Sequence, residues 1–279
     1  MTDYYEIDRE EIHRRNLQRL RGLRPIDDDF MRSLFHDNIP LVQLVLRIIT
    51  GMDDLVITSC DTQADMKRVT GARSLCLDAY GTDSSGKKYD LEIQRSDKGA
   101  DPHRARYHRS VMDIENLDAG QEFSELPDTY TIFITEKDFY GQGKAAYVFR
   151  TMNVDTGEPF NDGTTIIYVN GEYRGDDALG KLMHDFNCSN ADDMHYELLA
   201  EKTKYYKENQ EGVQIMCKAM EDMTREAEAR GEARGEAYGT FKTFLNLISD
   251  GLLTVSQAAA KVNLTEKQFS EKLTELGLS

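Results

Sequence analysis

Asp78 and Glu92 stand on either side of a polar turn in residues 73–94, RSLCLDAYGTDSSGKKYDLEIQ. Asp83, Ser84, Ser85 and Gly86 supply turn chemistry, while residues 75–80 and 89–94 are runs of β-formers. A β-hairpin is therefore expected. Period-two alternation places Asp90, Glu92 and Gln94 on one face of its second strand, with Tyr89, Leu91 and Ile93 on the other. The hairpin brings Asp78 close to Glu92 across the ladder. Paired carboxylates near a strand end make a hard-oxygen pocket of the kind Mg²⁺ or Mn²⁺ takes. An acid on the outer face of an antiparallel strand is ordinarily just solvated. Here, however, Asp78 follows the apolar run Leu75-Cys76-Leu77, and Glu92 sits between Leu91 and Ile93. Acids in such surroundings need a partner or a metal.

This pattern resembles the catalytic core of the PD-(D/E)XK nucleases, and more closely the PD-(D/E)XK nuclease family transposases, relatives of the bacterial recombination-promoting nucleases. In that superfamily an Asp ends one strand and a (D/E)-x-K motif occupies the next. The resemblance makes Asp78 the first acid and Glu92 the second, with Gln94 at the lysine position. Asp27, in DDDF before Leu34-Phe35, matches an Asp-x-x-Phe pattern on the first helix, and FNDGTTIIYVNGEYRGDD (160–177) is a further match. The similarity spans about residues 23–208. It implies an α/β, restriction-endonuclease-like core, a mixed central sheet flanked by helices, with a helical C-terminal extension. It also implies a metal-dependent DNA endonuclease in which Asp78, Glu92 and the Ile93 carbonyl hold Mg²⁺ or Mn²⁺, with recombination or mobile-element transfer as the role.

The chain has 279 residues, 39% hydrophobic, and a net charge of −16. Nucleic-acid-binding proteins usually carry a basic surface, so the charge opposes the nuclease reading unless basic groups cluster locally. One cluster follows the acid motif: Arg95, Lys98, His103, Arg104, Arg106, His108 and Arg109. The most apolar stretch, residues 39–49, is interrupted by Pro40, Gln43 and Arg47 and is too short to span a bilayer. The N-terminus lacks the apolar region of a signal peptide. Cys60, Cys76, Cys188 and Cys217 lack CxxC spacing, which favours reduced thiols and a cytoplasmic location.

The elements that position the acids follow from caps and periodicity. Residues 1–24 read as a charged, peripheral helical arm, and Pro25 opens the core domain at 25–211. Asp27, Asp28 and Asp29 begin a helix with Phe30, Met31, Leu34 and Phe35 on one face. Asp27 there completes a metal site or simply caps the helix, and both readings stand. A second helix ends at Gly51. Residues 55–59 read as a short strand and 61–70 as a polar connection. Asp101-Pro102 starts a helix running to about residue 117. YTIFIT (130–135) reads as a strand buried on both faces, and strands follow at 145–149 and 164–170, the last ending at Asn170-Gly171. Residues 179–186 become helical, with His184 and Asp185 read as structural. One long helix is expected from 193 to about 238. Its segment 212–240 carries Gly231, Gly235 and Gly239 in a Glu/Arg repeat suited to a linker or a self-association arm. Capping boxes at Thr254/Gln257 and Thr265/Gln268 mark a small helix-turn-helix-like module at 241–279. Its second helix mixes Glu and Lys, which favours packing or protein interaction over DNA recognition.

No P-loop, GxGxxG, HExxH or nucleophile elbow is present. Gln94 neither accepts a proton at neutral pH nor carries charge. It is suited to orienting a water through its amide oxygen. The expected partner is DNA, with homo-oligomers through the C-terminal helix and no membrane. The rival class is a catalytically inactive nuclease-fold protein acting as a binding or regulatory module, with the acids solvated or bridged to Arg73 or Lys88.

Overall fold

The computed structural model describes residues 9–66, 75–95 and 97–278, and the side chains of Arg9, Glu10, Asp29, Gln63, Asp65, Leu75, Cys76, Asp97 and Lys98 lie outside the description. Arg73, a candidate counter-ion, is outside it altogether. The chain forms two compact units, Met1–Cys217 and Lys218–Ser279.

The first unit is built on a mixed sheet. Its strands are β1 (Ile57–Met66), β2 (Leu75–Asp83), β3 (Lys88–Gln94), β4 (Thr129–Thr135), β5 (Ala146–Phe149) and β6 (Thr164–Asn170), in the order β1-β2-β3-β4-β6-β5. The β1/β2, β2/β3 and β5/β6 pairs are antiparallel, whereas β3/β4 and β4/β6 are parallel. Interior β3 and β4 are buried on both faces, as the YTIFIT run predicts. The parallel pairing follows from the helical crossover that joins β3 to β4.

The helices of this unit are α1 (Arg9–Gly22), α2 (Asp28–Phe35), α3 (Ile39–Thr50), α4 (Pro102–Glu115), α5 (Ala178–Asn187) and α6 (Glu197–Glu208). Side-chain caps start α3, α4 and α5 among them. Asp101 accepts the His103 N–H at 2.7 Å to open α4, with Pro102 at the first helical position. Asn38 caps α3, which ends at Gly51 in the left-handed conformation (φ 70°). The buried face of α3, Leu41, Val42, Val45, Leu46 and Ile49, packs on β1 and α5. The other side of the sheet packs Phe133, Tyr168 and Tyr147 with Ala100 and Ala105 of the α4 region. Although α1 forms within the expected arm, its Leu20 is buried, as is Leu23 just beyond it.

Two expectations need correction. Residues 61–66 are not a connection: they belong to β1, paired with β2 from Ile57↔Asp83 to Met66↔Leu75. As an edge strand, β1 tolerates polar residues that an interior strand would not, and this hid it from the pattern. Nor is the 193–238 segment one helix. Asn209 is extended (ψ 134°), ends α6, and accepts the Glu211 N–H at 3.0 Å to start α7 (Gln210–Ser249). A side chain that caps a new helix offers the backbone an alternative to continuing the old one. The glycine repeat stays helical inside α7, with nothing within 4 Å of where a Cβ would sit at Gly231, Gly235 or Gly239.

The second unit closes α8 (Val255–Lys261) and α9 (Glu266–Glu275) around Phe241, Ala258, Ala259, Phe269 and Leu276, with Phe241 and Phe269 stacked at 5.0 Å. Both capping boxes are complete. Thr254→Ala and Thr265→Ala are each expected to cost about 1 kcal/mol. Amide hydrogen exchange in α8 and α9 should accelerate about fivefold per substitution, and unchanged exchange would refute the role of the caps.

Candidate active site

The hairpin turn is fixed by one carboxylate. Asp83 accepts from Ser85 N (2.9 Å), Ser85 Oγ (2.8 Å), Lys87 N (2.9 Å) and the Tyr89 hydroxyl (2.9 Å). Partial burial would raise its pKa, but these donors outweigh that and hold it low. With the turn set, the register runs from Thr82↔Lys88 to Ala79↔Leu91. The next position brings Asp78 opposite Glu92. There the backbone ladder gives way to side chains: Asp78 N–H donates to Glu92 Oε1 (3.0 Å), and Ile93 N–H donates to Asp78 Oδ2 (3.2 Å). Each acid is thus held by the other's strand.

A third carboxyl joins them. Asp90, two residues before Glu92 and on the same face, is fully buried. Its Oδ2 lies 2.9 Å from Nδ1 of His108, itself fully buried on α4 and tilted against Phe133. Arg104, one helical turn earlier, donates from Nε to His108 Nε2 (3.0 Å) and from Nη2 to Glu92 Oε2 (3.0 Å). Because Nε2 accepts from Arg104, the proton of a neutral imidazole lies on Nδ1 and points at Asp90. From α2, Arg32 approaches Asp78 at 3.6 Å. Ligand atoms of Asp90, Glu92 and His108 lie within 4.8 Å of one another.

Burial dominates the electrostatics. It raises the Asp78 pKa against the pull of the Ile93 N–H, Arg32 and Arg104. Burial, and then the Asp78 charge, push Asp90 well above the usual carboxylate range. Glu92 is driven up to about 9 by burial, then by Asp90 and Asp78. The guanidinium of Arg104 opposes that rise without cancelling it, since one arginine at 3.0 Å faces several buried acids. The His108 pKa falls to about 4, chiefly through burial. The cluster therefore holds at least one proton at neutral pH, and it titrates as a group. Asp90 is fully buried beside the His108 imidazole. Its Oδ1 has no hydrogen-bond partner when ionised.

The other sequence candidates divide. Alternation keeps Gln94 on the Asp90–Glu92 face, and its side chain lies flat against Gly99, where a Cβ would come 1.7 Å from Oε1. Asp27 is held by two arginines. Its side chain makes no helix-capping bond and instead accepts from Arg24 N (2.7 Å), Arg24 Nη2 (3.1 Å) and Arg95 Nη1 (3.2 Å). Both arginines also contact Glu136. Among the described side chains of the basic cluster, Arg104 meets Glu92 and His108 meets Asp90, while the Lys98 side chain lies outside the description. Arg109 bonds Thr164, and His103 contacts Asp101. Lys88 reaches Thr82, so the described counter-ions of Asp78 and Glu92 are Arg32 and Arg104. Asp90 and His108 escaped assignment from sequence, although the two-residue step to Glu92 and the four-residue step from Arg104 were both legible.

The raised Glu92 pKa gives stability a pH dependence of definite sign. Between the ordinary value of 4.5 and about 9, folded Glu92 keeps a proton that the unfolded chain has lost. Its contribution is complete below pH 4.5 and is lost as pH climbs through about 9. Glu92→Gln removes this titration. The variant should therefore gain on the wild type with rising pH, by at most about 1.4 kcal/mol per unit. Calorimetric melting across that range checks the sign, and parallel profiles would contradict it.

Comparison with known proteins gives one match. A family model described as PD-(D/E)XK nuclease family transposase matches residues 57–231, more than half of the chain, and includes the whole β2–β3 hairpin and α4. No curated protein matches, and neither does any solved structure. The six-stranded mixed sheet with its flanking helices agrees with the restriction-endonuclease-like fold of that family. By this match and this architecture, the chain belongs to the PD-(D/E)XK nuclease family transposases.

Proposed function

We propose that the protein is a divalent-metal-dependent DNA endonuclease in which Asp78 and Glu92, with the Ile93 carbonyl, hold Mg²⁺ or Mn²⁺. The observation that carries this reading is the pair itself, two mostly buried acids facing each other across the hairpin beside a third. Family membership supports nuclease-type chemistry. The donor set fits a hard cation, because the ligating atoms are oxygens and the acids are crowded enough to retain protons that a dication would displace. Such an ion supplies charge to the scissile phosphate and lowers the pKa of a bound water.

The chain's own groups do the rest. Gln94, braced on Gly99, orients a water through its amide oxygen. Arg104 supplies the positive charge that a lysine at position 94 would have brought. Its side chain is 37% exposed and bound at one end to Glu92, so it is able to turn its guanidinium toward a phosphate. His108 fixes the Arg104 stem through Nε2, and Asp90 fixes His108. Arg19, Arg24 and Arg95 line a polar cleft of about 360 Å³ together with Asp27 and Asp28. Recombination or mobile-element transfer is the role that goes with such cleavage.

One observation favours a second reading, a nuclease-fold protein that binds without cutting. Arg104 and Arg32 already occupy positions beside the two acids, as structural partners would. Cleavage of single- and double-stranded DNA with Mg²⁺ or Mn²⁺ separates the two. Wild type should cut, EDTA should stop it, Asp78→Ala and Glu92→Ala should each lose about 10³-fold or more, and Arg104→Ala about 10²-fold. An inert wild type that still binds DNA would establish the second reading, and mutants that cut like wild type would overturn the assignment.

A further inference from the structure

The connection between α5 and α6 gathers a second cluster, His184, Asp185 and His195, whose ligand atoms lie within 4.8 Å of one another. Asp185 is fully buried near the end of α5. Its carboxylate accepts the backbone N–H of His195 (2.9 Å to each oxygen) and of Tyr196 (2.8 Å), the residue just before α6. These bonds satisfy the carboxylate and lock the loop, so that residue 195 stands beside residue 184. The two imidazole centroids are 4.7 Å apart, with planes inclined at 59°.

The remaining bond settles the chemistry of His184. Its Nδ1 lies 3.0 Å from Asp185 Oδ1. An ionised carboxylate only accepts, so Nδ1 carries the proton and Nε2 keeps its lone pair. A histidine that gives one N–H to a carboxylate and presents the other nitrogen is held in the manner of a metal ligand. His195 is exposed, and its ring faces that of His184. Two adjacent surface imidazoles gain little from each other and repel when protonated. A borderline dication between them turns the juxtaposition into a favourable one.

We propose that His184 and His195 form a binding site for a borderline divalent ion such as Zn²⁺ or Ni²⁺, with Asp185 as the buried carboxylate that orients His184. Imidazole nitrogens suit these ions and not Mg²⁺, the reverse of the oxygen-rich acid pocket. The two sites share no residue, so this one stands whether or not the protein cuts DNA. Two protein ligands leave coordination positions for water or for a donor from another molecule.

The test is ring ¹⁵N NMR of the full chain carrying Asp78→Asn and Glu92→Gln, which disable the acid pocket, during titration with ZnCl₂. The chain has six histidines, so each ring can be followed. One equivalent of Zn²⁺ should shift His184 Nε2 and a ring nitrogen of His195, leave the other four rings in place, and be unmatched by MgCl₂. His195→Ala alters an exposed side chain and should weaken the Zn²⁺ effect at His184 about tenfold or more, and Asp185→Asn by about 10–100-fold. Unshifted rings at both positions, or His195→Ala responding like its parent, would overturn the proposal.

Discussion

Burying three carboxyl groups in one patch costs the folded chain free energy that only neutralisation or pairing recovers, and the architecture around β3 reflects that constraint. Asp90 and Glu92 point to one face of an interior strand, and Asp78 faces Glu92 from β2. Arg104 and His108, one turn apart on α4, meet them, while Arg32 approaches from α2. Removing α4 would leave Asp90 and Glu92 with neither the Arg104 guanidinium nor the His108 imidazole. The helix therefore follows β3 directly, started by an Asp101-Pro102 cap that leaves little freedom in its first turn.

In the proposed metal-dependent reading, the same crowding would prepare the pocket for a cation. Acids that hold protons because they are buried together release them when a dication arrives, which couples occupancy to pH. In the present arrangement Arg104 serves as a partial substitute for that charge. Its position also bears on the glutamine at 94. A PD-(D/E)XK site normally places a lysine beside the metal, and here a cation reaches the acids from the adjacent helix instead. Asp27 belongs to a network with Arg24, Arg95 and Glu136.

Much of this was legible in the sequence because it rests on local chemistry. The DSSG turn, the alternation in YDLEIQ, the Asp-Pro cap and the paired Thr/Gln boxes each specify structure within a few residues. What escaped depends on partners distant in the chain. β1 is polar because it lies at the sheet edge, a fact set by its pairing with β2. Asn209 breaks a helix that propensity alone would continue, through a single side-chain cap. His108 reads as one base in a basic run until the fold seals it against Asp90 and Phe133. His184 reads as isolated because its neighbour His195 belongs to a different element.

The central claim is that Asp78 and Glu92 form one cation site by displacing protons from a crowded acid cluster. Calorimetric titration of Mn²⁺ at neutral pH, repeated in buffers of different ionisation enthalpy, measures both the binding and the protons released. The account predicts one ion bound at the acid pocket with net proton release, and loss of both in Asp78→Asn and in Glu92→Gln. Binding without proton release, or binding that survives either substitution, would contradict it.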